Sequence, residues 1–202
     1  KNHNNDWVDE NTAKIGDTVE YKVEIKVADG AQKYTVTDTM SKGLTYDPSS
    51  LKVNGEAVND IFETNDYSTA ESGITTITLK FKDSYIADKD GQTITLTYSA
   101  TLNKDAVIDG NGNINKASLS YGNDKTVESQ TVTKSFQFDL VKIDGADNKL
   151  LDGAEFELAD GNTKLSFVKD NDGNYRVAKT GEKDATTTIT VKNGKVNIYG
   201  LA

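Results

Sequence analysis

Cysteine is absent from the chain. That removes disulfides, thiolate nucleophiles and cysteine-ligated metals. Histidine occurs once, as His3 in a polar N-terminal segment. It reads as a solvated side chain, and no Ser/His/Asp set can be assembled around it. Proline also occurs once, at Pro48, so no proline-rich linker is present. No apolar run approaches the ~20 residues that cross a bilayer, and no leader-like segment opens the chain. On those grounds the chain reads as a mature fragment or as cytosolic. Positive charge is scarce: 23 Lys and Arg stand against 32 Asp and Glu, a formal net charge of −9. Sequence-independent binding to nucleic acid or to an anionic membrane is excluded by that sign.

What the chain does have is alternation. Hydrophobic residues make up 35% of the 202 residues and charged residues 27%, a globular balance when the apolar positions are periodic. In Thr18–Ala28, Val19, Tyr21, Val23, Ile25 and Val27 share one parity, with charges between them. Side chains on a strand point alternately to opposite faces, so this spacing predicts a half-buried strand. The same pattern predicts strands in Gln32–Met40, Thr75–Lys82, Thr93–Leu102 and Ile114–Gly122, with a hairpin at Asn54-Gly55 and a helical turn within Ser84–Gly91. Asp60–Gly73 is polar and reads as a long surface loop. Gly122–Thr133 lacks a core pattern and reads as the approach to a second domain. No long amphipathic helix is predicted anywhere. Many short strands with Gly, Asn and Asp turns indicate an all-β protein of two β-sandwiches in series, residues 1–134 and 135–202.

Parity also places three polar groups on core-facing positions. Asp38 shares a face with Tyr34, Val36 and Met40, and Asn115 with Ala117, Leu119 and Tyr121. Lys142 continues the row of Phe136, Phe138 and Leu140. Each has an ordinary structural reading: an Asp caps a turn, a buried Asn satisfies backbone groups, a lysine snorkels. Together they have a chemical one. A desolvated lysine is neutral and nucleophilic, and a carboxylic acid in the same apolar pocket stays protonated and donates to an amide oxygen. An Asn amide held against both can be attacked at its carbonyl carbon with loss of ammonia. The product is an intramolecular Lys–Asn isopeptide bond, formed once and without turnover.

Three runs carry a family resemblance: IGDTVEYKVEIKV (Ile15–Val27), YTVTDTMSKGLTY (Tyr34–Tyr46) and NINKASLSY (Asn113–Tyr121). They resemble the isopeptide-forming D2-type, Cna A-like domain of Gram-positive sortase-assembled pilus backbone subunits. FDLVKIDGADNKLLDGAEFEL (Phe138–Leu158) is similar to the start of a Cna B-type domain of the same pilins and of surface adhesins. The resemblance implies two tandem immunoglobulin-like sandwiches, the second lacking its last strand, in an extracellular cell-surface shaft. It implies that Asp38 is the acid and Asn115 the amide partner, with Asn113 and Asn123 as alternatives. The family's first-strand lysine falls on Lys1 or one or two residues ahead of it. Lys142 takes the place of the second domain's bond-forming lysine, whose acid and Asn partners lie in segments not found in the chain. Glu155 and Glu157 are no substitutes, because their parity points outward. With no pilin lysine motif or sorting signal, the chain resembles an internal piece of a longer subunit. Its implied partners are neighbouring pilin subunits, a sortase acting on the full-length protein, and a host surface ligand.

No cofactor or metal is expected. Asp109-x-Asn111-x-Asn113 has oxygen-ligand spacing, but Ile114 and Ser120 occupy the glycine and glutamate positions of a calcium loop. Asp170-x-Asp172-x-Asn174 fails likewise at Tyr175 and Gly181. Two other functions stand beside the shaft. A host-binding adhesin module would need an exposed aromatic groove, for which Trp7, Tyr67 and Tyr85 are the candidates. An enzyme or carbohydrate-binding domain would need a catalytic set that the composition does not offer.

Overall fold

The computed structural model describes residues 1–126 and 128–202. The first strands are β1 (Glu10–Thr12), β2 (Thr18–Lys26), β3 (Thr35–Met40), β4 (Leu44–Val53) and β5 (Glu56–Ala57). Then come β6 (Phe62–Thr69), β7 (Thr75–Phe81), the short helix α1 (Asp83–Ala87) and β8 (Thr93–Leu102). The N-terminal region ends with β9 (Asn113–Tyr121), β10 (Asp124–Lys125) and β11 (Ser129–Lys134). One sheet runs β1-β11-β9-β3-β7-β6, with β10 off β9; the other runs β2-β8-β4-β5.

The alternation read from the sequence produces the core between these sheets. Val19, Tyr21 and Ile25 of β2 are buried, as are Ile94, Leu96, Ala100 and Leu102 of β8 and Ile77, Leu79 and Phe81 of β7. Removing a side chain of that size from water stabilises the fold by about 1.5–3 kcal/mol. Threonines and charges occupy the opposite parity and face water. The turn between β4 and β5 needs positive φ at both central residues, and Asn54 (52°) and Gly55 (83°) supply it.

Three polar stretches differ from their sequence reading. Asp60–Gly73 contains a full edge strand, β6, paired antiparallel with β7. Its residues are largely exposed, so no alternation marked it. Gly122–Thr133 contains the start of β11, which lies between β9 and β1. The polar N-terminal segment contributes β1, which pairs in parallel with Val132–Lys134. In each case backbone ladder bonds hold the strand, with little apolar burial to announce it.

The C-terminal region comprises β12 (Phe136–Val141), β13 (Glu155–Phe156), β14 (Ala159–Asp160) and β15 (Thr163–Lys164). It continues with β16 (Phe167–Lys169), β17 (Tyr175–Val177), β18 (Ile189–Thr190) and β19 (Lys195–Leu201). Its main sheet runs β12-β19-β17-β16, with β19 antiparallel to β12 and parallel to β17. Phe167, Tyr175, Val177, Ile189, Val191, Val196 and Ile198 form its buried core. The face expected to be inward on β12 is open: Phe136 is 38% and Phe138 40% exposed. Leu140, further along the same face, is partly buried against the core. The two regions meet where Ile15 N–H donates to Gly200 O at 3.0 Å and Ser135 Oγ donates to Leu201 O at 2.9 Å.

Candidate functional site

Register sets the site. β3 pairs with β9 so that Asp38 lies opposite Ala117 and Met40 opposite Asn115. Asp38 and Asn115 are therefore diagonal neighbours on the inward face, two positions apart along β9. Across the sandwich, Tyr98 of β8 points at both. All three are buried, with Asp38 2% and Asn115 5% exposed.

The three polar groups form a triangle. Tyr98 Oη donates to Asp38 Oδ2 at 2.5 Å, and Asn115 Nδ2 donates to the same oxygen at 2.9 Å. The third edge is Asn115 Nδ2 to Tyr98 Oη at 3.3 Å. Asp38 Oδ1, Asn115 Oδ1 and Thr131 Oγ1 are buried without a hydrogen-bond partner among the described residues. Buried polar atoms are nearly always paired, and an unpaired one costs about 1–3 kcal/mol. Two adjacent unpaired oxygens on the acid and the amide are therefore expensive for a purely structural cluster.

Burial pushes the Asp38 carboxyl up to about 6, against the opposing pull of the hydrogen bonds from Tyr98 and Asn115. Burial also raises the Tyr98 phenol well above its ordinary value, and the neighbouring Asp38 charge adds to the effect. Tyr21 stacks on Tyr98 at 5.6 Å between ring centroids, and Tyr46 meets it edge-on at 6.2 Å. These rings supply the low-polarity wall that shifts the acid. A cleft of about 340 Å³ opens beside the triangle, between the free edge of β2 and strands β9 and β11. Tyr21, Val36, Tyr98, Asn115, Leu119 and Thr131 are among the residues lining it.

The remaining candidates lie elsewhere. Lys1 sits outside this cleft: its Nζ pairs with Glu20 at 3.1 Å and lies 4.9 Å from the centre of the Trp7 ring. Its α-amino group donates to Glu20 O at 2.6 Å, on the β2 edge that borders the cleft. Asn113 is buried but fully used, accepting from Val107 N–H and donating to Val107 O and Thr133 O. Gly43 packs so closely that an added Cβ would fall 2.1 Å from Asn113 Oδ1. Asn123 is in an exposed turn. Lys142 follows β12, partly buried, with its backbone N–H bonded to Gly194 O. Glu155 and Glu157 face outward. Of the aromatic candidates, Trp7 is 39% and Tyr67 46% exposed. Asp109, Asn111 and Asn113 do not form an oxygen cage, since the Asn113 amide is committed to backbone groups.

Tyr98 is the member of this triangle that the sequence reading does not single out. Parity assigned it to the core with Ile94, Leu96 and Ala100, which is where it lies. The signal was available in chemistry: a phenol in an otherwise aliphatic inward row must find a partner for its O–H.

An all-β immunoglobulin-like sandwich with a buried acid–amide pair defines the class. Residues 15–125 match the family described as Gram-positive pilin backbone subunit 2, Cna-B-like domain. That match spans more than half of the chain, and the chain belongs to this family of structural proteins of the cell-surface pilus. Among solved structures, it is similar to the pilus 2b backbone protein of group B streptococcus. Identity is 24%, coverage is 95% of this chain and 77% of that one, and the TM-score is 0.61. Domains D2 and D3 of the major pilin SpaD from Corynebacterium diphtheriae align at 19% identity, over 92% of this chain and 69% of that one, with a TM-score of 0.56. BcpA, the major pilin subunit of Bacillus cereus, aligns at 21% identity, over 96% of this chain and 53% of that one, with a TM-score of 0.55. No curated protein matches the chain. Among the described residues no helix is long and apolar enough to cross a membrane.

Proposed function

We infer that residues 1–134 and 135–202 are consecutive shaft modules of a pilus backbone, and that the first is locked by a Lys–Asn isopeptide bond ending at Asn115. The observation that supports this reading is the buried Asp38–Asn115 pair with its two unpaired oxygens beside an open cleft. The amine comes from the N-terminal segment, either Lys1 after leaving Glu20 or a lysine preceding it. Neighbouring pilin subunits are the partners, joined by a sortase in the full-length protein.

The chemistry balances without a cofactor. While Asp38 is ionised, Asn115 presents its N–H to the carboxylate. Protonation of Asp38 makes Oδ2 a donor, and a half-turn of the amide about Cβ–Cγ then brings Asn115 Oδ1 to face it. A neutral lysine amine attacks Asn115 Cγ, and the new C–N bond pushes charge onto Oδ1. The attacking nitrogen loses a proton, Nδ2 gains one through Asp38, and the Cγ–Nδ2 bond breaks to release ammonia. The Asp38 carboxyl ends as it began. One amine and one primary amide become one secondary amide and ammonia, a single event with no turnover.

The test is the intact mass of the full-length protein. Loss of one ammonia that disappears in Asn115→Ala supports the bond; a wild-type mass with every ammonia retained sinks it.

A further inference from the structure

We propose that Tyr98 is a catalytic residue of this crosslinking site: the second hydrogen-bond donor to the amide oxygen of Asn115 as charge develops on it. This rests on the isopeptide reading above and adds to it a residue on the opposite sheet.

The geometry carries the assignment. The amide atom of Asn115 nearest the acid lies 2.9 Å from Asp38 Oδ2 and 3.3 Å from Tyr98 Oη. A half-turn of the amide exchanges Nδ2 and Oδ1, which are nearly the same size, so Oδ1 inherits both neighbours. In that orientation the oxygen faces two O–H groups, one from protonated Asp38 and one from Tyr98. The phenol's single proton turns from Asp38 Oδ2 to the amide oxygen once Asp38 carries its own. Once the amide and the phenol proton have turned, two donors aimed at one developing oxyanion beside aromatic walls stabilise the transition state with no further movement of either donor.

Tyr98 is also held for the task. Its ring is stacked on Tyr21 and met edge-on by Tyr46, so its hydroxyl has little freedom to leave. The surroundings keep the phenol protonated at any pH near neutrality. It gives no proton away in the net reaction. It strengthens its hydrogen bond as Oδ1 becomes negative and relaxes as ammonia departs, while Asp38 moves the protons between the nitrogens. A purely structural tyrosine would need only its ring. The hydroxyl, placed at the vertex of the acid–amide triangle, is what this role uses.

The experiment follows ammonia loss by intact mass over time in the full-length protein made by cell-free synthesis, from pH 5 to pH 8. Wild type, Tyr98→Phe and Asp38→Ala are compared. Tyr98→Phe keeps the ring and is expected to slow the loss by about 10²–10³-fold, the cost of deleting one oxyanion donor. The pH at which the rate is highest should also move, because Asp38 loses a hydrogen bond to its charged form. Asp38→Ala is expected to abolish the loss at Asn115. An unchanged rate and profile in Tyr98→Phe, with wild type still losing ammonia, overturns the role of Tyr98 alone. Retention of ammonia by wild type overturns the crosslink itself. If Tyr98→Phe misfolds, a fluorotyrosine placed at position 98 alone keeps the packing and makes the donor more acidic. A faster reaction then supports the assignment, and an unchanged rate overturns it.

Discussion

Asp38 and Asn115 share one oxygen–nitrogen contact of 2.9 Å inside the sandwich, yet Asp38 Oδ1 and Asn115 Oδ1 are left without a partner among the described residues. A cluster built only for stability would be expected to give both acceptors a protein partner. In the crosslinking reading the Asn115 oxygen gains its partner when the amide turns toward protonated Asp38. Asp38→Ala is therefore expected to retain the ammonia in the full-length protein and to lower its melting temperature. A crosslink that closes a loop of roughly 100 residues contributes about 4–5 kcal/mol through the unfolded state. In a domain of this size that corresponds to a fall of about 10–20 °C. Calorimetry beside intact mass checks both parts; an unchanged melting temperature with a retained ammonia would mean that the bond bears no load.

Asn113 and Asn115 are two residues apart, point into the same core, and should behave oppositely. Asn113 spends its whole amide on Val107 and Thr133 backbone groups. Asn113→Ala should destabilise by about 2–4 kcal/mol, from the backbone groups it leaves unpaired, while ammonia is still lost. Asn115→Ala should stop the ammonia loss. Mass spectra of the two variants decide between them, and retention in Asn113→Ala alone would move the acceptor to that residue.

The difference between those two asparagines was beyond the sequence. Both sit on the inward parity of β9, and which of them is spent on the backbone depends on a loop, Val107, that no periodicity fixes. The inward placement of Asp38, Met40, Asn115 and Tyr98 was legible, because the period of two marks a face wherever apolar neighbours share it. β1, β6 and β11 were not, since their residues are almost all polar, bury little apolar surface, and ladder bonds leave no trace in composition. Phe136 and Phe138 show the converse error. Their alternation was read correctly as a strand, but parity cannot say whether anything covers the face it defines.

The titratable groups packed around Asp38 are Tyr98, Tyr21 and Tyr46. Burial pushes all three phenols up, Tyr46 to about 12. Asp38 is therefore the member of this cluster that changes charge between about pH 4 and pH 6, the window given by its rise from 3.8 to about 6. A carboxyl raised on folding binds its proton more tightly in the native state. Its stabilising contribution is full below the unfolded value and is lost as pH rises through about 6. The shift corresponds to roughly 3 kcal/mol. In an Asn115→Ala background no crosslink forms, and Asp38 also loses a hydrogen bond that favours its charged form. Urea unfolding should therefore show stability falling from about pH 4 upward, through a folded value raised further than in wild type. Adding Asp38→Asn should flatten that fall; a slope that persists would place the titration on another group.

Lys142 follows β12 on the parity of Phe136, Phe138 and Leu140, and its backbone is tied to Gly194. It is the amine we assign to a second crosslink, in the C-terminal module. In the full-length protein the reading requires two ammonia losses, one at Asn115 and one involving Lys142. Lys142→Arg keeps the charge and the stem but replaces the nucleophilic amine with a guanidinium that stays protonated. That variant should regain one ammonia and keep the other loss, while Asn115→Ala should do the same through the first module. The double variant should regain both. Peptide mapping would then find Lys142 in a branched peptide from wild type; a linear Lys142 peptide there would remove it from the chemistry.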